Sequence, residues 1–289
     1  MEFNTVKANP VSRIGSALID LMLFFVILML SASLIVSPII NSTSAYQETY
    51  ASYQEKLVDT FLVVKTDTGL ITRFDYDQEK NEDFDYKNMS KYDNYIIDFY
   101  YSYESNDKVE EFKQAQRDAT YIFTFNENGG YEITGKDEDV ISFYNNQFSK
   151  ALNDYYELDQ EYASLYNEID KYNSISMYCS GAISLLITYL FFPLVLKHGR
   201  TLGKQIFSLR VVNDNAELSN ISLLQKLIRF AVSALILVVS YFTTGIPLFI
   251  VLIFMLTNKK SMGIQDIVAK TVVLDGVKIK QYYGVQDIR

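Results

Sequence analysis

Three apolar runs decide what this chain can become. Ile14 to Val36 is 23 residues, apolar apart from Asp20 and a few serines. That is enough for a helix to cross a hydrocarbon core of roughly 30 Å. Its length and its Asp argue against a cleaved signal peptide. A second run extends from about Ser174 to Leu196. A third, Ile221 to Leu256, is interrupted by Thr243-Thr244-Gly245 with Pro247 just after. It therefore divides into helices over about 222–242 and 246–257, the second short. Lys7 and Arg13 precede the first run. Lys197, His198, Arg200, Lys204 and Arg210 follow the second, and Lys259, Lys260 and Lys270 follow the third. Basic residues collect on the cytoplasmic side. Both termini and the loop 197–221 are therefore expected inside, and residues 41–173 outside. Two ends on one side need an even number of crossings, so four spans fit better than three.

The charge divides the same way. The net −9 is a sum of −16 over residues 41–173 and +7 over the rest. No basic patch lies on the acidic segment, which excludes nucleic acid as a partner. That segment also holds 18 of the 23 Tyr and no Cys, so its stability must come from packing without disulfides. From Tyr144, the residues Phe148, Ala151, Tyr155, Leu158, Tyr162, Leu165, Ile169 and Tyr172 follow at spacings of four and three, a coiled-coil pattern. Asp137 or Asp139 is a suitable N-cap. The pattern runs on into the second span, which predicts one long helix. Tyr46, Tyr50, Tyr53, Leu57 and Val64 keep much of that rhythm after the first span. An antiparallel stalk is the simplest arrangement. Residues 88–104 and 107–119 read as helices, and 121–125 with 131–134 as a hairpin across Asn126-Glu-Asn-Gly-Gly130. The acidic stretch from Asp75 to Asp85 lacks the Gly and Glu of an EF-hand and reads as a solvated loop.

Ionisable residues within a span are functional candidates because their burial is costly. Asp20 lies six residues inside Ile14, roughly 9 Å deep at 1.5 Å per residue. Ser12, Ser16 and Asp20 form one stripe; Ser176, Ser180, Ser184 and Thr188 form another. Thr188, counted back from Leu196, falls at a similar depth. The two stripes are expected to face each other, with Thr188 or Tyr189 hydrogen-bonding Asp20. Cys179 reads as a packing residue and His198 as interfacial. Phe207 to Val212 alternates, and Thr271 to Leu274, Asp275-Gly276 and Val277 to Lys280 read as a hairpin. Gly199-Arg-Thr-Leu-Gly203-Lys204 fails as a phosphate loop, because its spacing is one residue short and Gln205 replaces the Ser/Thr. With one His and one Cys, neither a catalytic constellation nor a metal-ligand set is visible. No enzyme activity, metal or cofactor is expected.

The sequence blocks resemble the RDD family of bacterial membrane proteins. Arg13-Ile-Gly-Ser-Ala-Leu-Ile-Asp20 looks like its first block. Gly199-Arg-Thr201-Leu-Gly203-Lys204 with Val211-Val212 looks like the central block, and Asn258-Lys-Lys through Asp266 to Val273 the closing one. The resemblance covers residues 1–40 and about 174–275, with the acidic segment inserted between the first two helices. It implies Arg13, Asp20 and Asp266 as the functional membrane charges, and Gly199, Thr201, Gly203 and Lys204 as motif positions. Asp266 is expected to meet Arg13, or Arg200 or Arg210. Ser208 and Lys270 stand where the family often has Gly, and Gln265 where a His often precedes the Asp.

The expected fold class is an all-α membrane protein. A four-helix transmembrane core, its last two helices a short hairpin, carries an inserted, mainly helical ectodomain. That ectodomain has a coiled-coil stalk and a small β-hairpin, and a small β element lies in the cytoplasm. The expected divisions are 1–40, 41–173, 174–257 and 258–289. The chain belongs in the bacterial cytoplasmic (plasma) membrane. Its expected partners are the lipid bilayer, and a second copy or another envelope or membrane protein reached through residues 41–173. It is read as an envelope accessory or binding protein. The alternative is a transporter of monovalent cations or protons using Asp20, for which the family has been suggested.

Overall fold

The computed structural model describes residues 6–81, 84–214, 219–257 and 262–283. The chain falls into two compact units: Ile39–Ser174, and the flanking segments Met1–Pro38 with Ile175–Arg289. Helix α1, Pro10–Asn41, is one of three helices among the described residues that are long and apolar enough to cross a membrane. Asn9 caps it by accepting from the Val11 N–H, and Pro10 takes the first position, where a missing N–H costs nothing. A π-helical turn at Ala32–Val36 interrupts its regular winding.

The unit Ile39–Ser174 is a small helical domain with its own core. In chain order it holds α2 (Ser44–Asp59), the strands β1 (Val63–Thr66) and β2 (Gly69–Thr72), then α3 (Arg73–Lys80), α4 (Ser90–Ser102) and α5 (Asn106–Asp118). There follow β3 (Phe123–Phe125), β4 (Tyr131–Ile133) and α6 (Asp137–Leu158), and the start of α7 (Gln160–Val195). Phe74, Ile96, Phe112, Ile122, Tyr144, Phe148 and Tyr155 are all but inaccessible to solvent and form one cluster. Tyr and Phe supply most of its volume. The absence of disulfides is thus met by aromatic burial, a large favourable area per residue. One charge lies among these rings. Asp93 accepts from Gln116 Nε2 at 2.8 Å, from the Tyr144 hydroxyl at 2.7 Å and from the Tyr131 hydroxyl. Burial pushes its pKa up, and the three donors only partly oppose that.

Three expectations fail here. The heptad run does not form one helix: α6 ends at Leu158, Asp159 adopts φ −120° and ψ 108°, and α7 begins at Gln160. The Asp159 carboxylate accepts from the Tyr162 N–H at 2.9 Å, so it caps the new helix and ends the old one. The seam before this break packs into the globular core. The part after it stands beside α2, with ring contacts Tyr53–Tyr162, Tyr53–Tyr166 and Tyr46–Tyr172 in antiparallel order. The second failure is the acidic stretch, of which Arg73–Lys80 is helix α3, started by Thr72 accepting from the Asp75 N–H; residues 82–83 lie outside the described residues. The third is the N-cap of α6, expected at Asp137 or Asp139. A hairpin the pattern did not reveal, β1 with β2, is closed by Thr66 opposite Gly69. The expected hairpin, β3 with β4, pairs Phe123 with Ile133 and Phe125 with Tyr131. The helix α6 takes Lys136 as its N-cap, with Asp137 and Asp139 in its first turn, where they still favour the helix dipole.

The other unit continues with the rest of α7, which has a π-helical turn at Leu186–Phe191. It is followed by α8 (Leu202–Ile206), β5 (Leu209–Asn213), α9 (Leu223–Phe242) and α10 (Ile246–Thr257). The chain closes with α11 (Ile264–Val268), β6 (Thr271–Asp275) and α12 (Gly276–Tyr283). Ser222 and Gln225 form a capping box at the start of α9. Strand β5 pairs antiparallel with β6, Val211 opposite Val273, and a bridge from Lys7 to Leu274 adds the N-terminal segment. The expected 271–280 hairpin is therefore wrong in its partner. Asp275 Oδ1 accepts from the N–H groups of Val277 and Lys278, so Asp-Gly starts a helix here instead of turning a hairpin. Ser208 and Lys270 both sit at φ +53°, in the left-handed region.

Candidate functional site

The functional charges lie where α1 meets the short elements that follow α7 and α10. Asp20 is 2% exposed. The Thr201 hydroxyl donates to its Oδ2, and the Gly203 N–H donates to Oδ1 at 2.8 Å. Lys204 Nζ stands 3.7 Å from the same carboxylate and 3.2 Å from Thr201 Oγ1. Burial draws the Lys204 ammonium below its usual pKa, with Asp20 opposing. Thr201 is the N-cap of α8, so one residue both starts that helix and holds Asp20. A Cβ on Gly203 would stand 2.1 Å from the Ser16 carbonyl oxygen and 2.9 Å from Asp20 Oδ1. Only glycine lets α8 approach α1 this closely. Gly199, at φ +59°, turns the chain into this loop, where any Cβ would strike Ile221.

Asp266 is fully buried on α11 between two guanidinium groups. Arg13 binds Oδ2 and Arg229 binds Oδ1. The Gly263 N–H donates to Oδ2 at 2.9 Å, and Arg229 also reaches the Thr271 hydroxyl. Burial raises the carboxyl pKa, but Arg229 and Arg13 outweigh it and hold it down at about 2. The pairing ties the start of α1, the first half of α9 and α11 into one knot.

The expected meeting of Arg13 with Asp266 is present. Arg200 and Arg210, the alternatives to Arg13, are not its partners; Asp266's second partner is Arg229, which was not anticipated from the sequence. An arginine seven residues into a 20-residue apolar helix is itself a signal. The assignment of Asp20 to Thr188 or Tyr189 is corrected. Thr188 Oγ1 is buried without a hydrogen-bond partner, and Asp20 draws its donors from the loop after α7. Similar depth is not register. The serine stripe does pack on α1, but higher up: Ser184 donates to the Phe24 carbonyl, Ser31 to the Ser180 carbonyl at 3.4 Å, and Ser37 meets Ser176 at 2.9 Å. Cys179, expected to be a packing residue, is exposed. His198 Nδ1 lies 2.8 Å from Asn220 Oδ1. Among the described residues no group of His, Cys, Asp and Glu could hold a metal ion. Asn258, Lys259 and Lys260 of the closing block lie outside the described residues.

The family model described as RDD family matches residues 140–270. The match begins within α6, so it takes in more of the inserted unit than the motif blocks do. It includes Asp266, Arg229 and the Gly199–Lys204 loop and leaves out Arg13 and Asp20. No curated protein matches the chain, and no solved structure does.

Proposed function

We propose, since this chain is an RDD-family membrane protein, that it is an envelope accessory or binding protein whose working part is the acidic Tyr-rich unit. The observation that carries this reading is the state of Asp20. It is the only acidic residue within the apolar runs 14–36, 174–196 and 221–256 of the sequence, and its oxygens are taken by Thr201, Gly203 and Lys204 of the same chain. A carboxylate so held serves as a latch between α1 and α8. With Asp266 it makes the membrane unit a braced anchor. The unit Ile39–Ser174 has a complete core and still exposes Tyr101, Tyr121 and Phe125, the residue types that dominate protein interfaces. On this reading the protein catalyses nothing. It lies in the cytoplasmic membrane of a bacterium with that unit outside, against another envelope protein or a second copy of itself. Photo-crosslinking residues placed at Tyr121 and Phe125 in intact cells test it. A discrete adduct is expected; no adduct from an intact unit would sink the reading.

A second reading, cation or proton exchange, is favoured by one observation. Asp20, Lys204 and Tyr189 line a cavity of about 360 Å3 within the membrane unit. Ion-driven pH change in inverted vesicles distinguishes the two. The accessory reading expects none, whereas exchange expects a signal that Asp20→Asn abolishes.

A further inference from the structure

That cavity has two different ends. Asp20, Lys204, Lys226 and Gln265 stand at one, and along α9 the wall turns apolar at Ile236 and Leu237. Eleven residues separate Lys226 from Leu237, about 16 Å of helix at 1.5 Å per residue. One leaflet of a roughly 30 Å hydrocarbon core is about as deep.

The polar end carries unbalanced positive charge. Asp20 is matched by Lys204, and Asp266 by Arg13 and Arg229. Lys226 lines the cavity half-buried, and among the described residues its side chain makes no hydrogen bond or ion pair. A half-buried, unpaired cation beside an apolar chamber favours an anion there. The chamber also opens sideways. Leu18 on α1 and Phe249 on α10 both line it, yet are 53% and 68% exposed on the apolar outer surface. An occupant entering between them must be apolar along its length and anionic at one end.

We propose that the cavity holds an acyl chain of an anionic phospholipid drawn from the bilayer, with the phosphate at Lys226 and Lys204. The volume suits the proposal, since ligand sites commonly fall between about 300 and 1,000 Å3. Basic pockets between membrane helices are a recurrent way of reading lipid headgroups. The site shares Lys204 with the Asp20 latch and borders the Asp266 knot at Arg229, and the proposal stands whether or not the protein moves ions.

Native mass spectrometry of the purified full chain tests it, with phosphatidylglycerol, phosphatidylcholine of equal chain length, and glycerol 3-phosphate as probes. One phosphatidylglycerol should bind at least tenfold more tightly than phosphatidylcholine. Lys226→Gln should weaken phosphatidylglycerol roughly tenfold, the loss of one charge-assisted contact, and weaken phosphatidylcholine, whose own ammonium already offsets its phosphate, by less. Ser233→Phe, which fills the chamber and leaves Lys226 in place, should weaken both lipids. Equal affinity for the two lipids, or no effect of Lys226→Gln, overturns the proposal. So does glycerol 3-phosphate competing as well as the intact lipid, which would make the site one for free phosphate. If a variant fails to fold, the selectivity of the wild-type protein decides the matter alone.

Discussion

At the scale of single residues, the two buried aspartates outside the spans have opposite pH dependence. Asp266 falls from 3.8 to about 2 in the folded chain. Its contribution is present above 3.8 and lost as pH falls through about 2. Asp93 moves the other way from 3.8. Its contribution is complete below 3.8 and fades as pH rises through its higher folded value. Asp93→Asn, which keeps an acceptor and removes the charge, should abolish that fall in the tyrosine-rich unit. Near-ultraviolet circular dichroism melts between pH 4 and 7 would register it. Arg229→Ala should cost about 3–5 kcal/mol, because it leaves half of a buried carboxylate unpaired; detergent melts of the membrane unit measure this. Ser208 and Lys270 hold left-handed backbone at positions where the resemblance places glycine. Replacing either with Gly should raise stability by about 1 kcal/mol, the left-handed cost of a Cβ, read as an increase in Tm. Arg13 and Asp266 stood out through the family resemblance, whereas Asp20 was legible in the sequence because a charge in an apolar run has few bland explanations. Thr201 and Gly203 as the partners of Asp20 were not, because 181 and 183 residues of chain separate them from it, and no spacing rule reaches that far.

At the scale of elements, periodicity located the long helices but not where one ends. The heptad pattern is continuous across Asp159, yet the chain breaks there, because Asp159 offers the Tyr162 N–H a better acceptor than an uninterrupted helix could. The other Asp159 oxygen, Oδ2, accepts from the Tyr155 hydroxyl at 3.3 Å and faces Lys56 Nζ at 3.6 Å, which fixes the break in place. A polar residue within an aromatic seam was the available sign. Asp159→Ala should remove a cap worth about 1 kcal/mol. Amide exchange at 160–164 should then speed up about fivefold, the factor that energy corresponds to. If exchange instead slows, the two helices have fused and the seam was held apart only by this side chain. The β5–β6 pair teaches the complementary lesson. Both strands show in the sequence as short apolar runs, but pairing between residues as far apart as Val211 and Val273 was invisible beside the nearer Asp-Gly turn.

At the scale of the molecule, the knot around Asp266 constrains the path of the chain more than the hydropathy does. The start of α1, the loop after α7, the first half of α9 and the segment after α10 all meet through Arg13, Arg229, Asp266 and the β5–β6 pair. The chain must therefore leave along α9 and come back along α10. Yet α10 has only 12 residues, about 18 Å of helix, against roughly 30 Å of hydrocarbon. The turn at Thr243–Gly245 adds little to that reach, and a full crossing by α10 would need a locally thinner membrane. If this end is the basic one, it is the cytoplasmic one. A Cys179→Ser background with single cysteines at Tyr121 or Val277, both exposed, decides it. An impermeant maleimide should label Tyr121→Cys in intact cells, and Val277→Cys only after lysis. The reverse result would place the acidic unit inside, where a net charge of −16 would face anionic lipid instead of the outer medium, and the envelope-binding reading would fall with it.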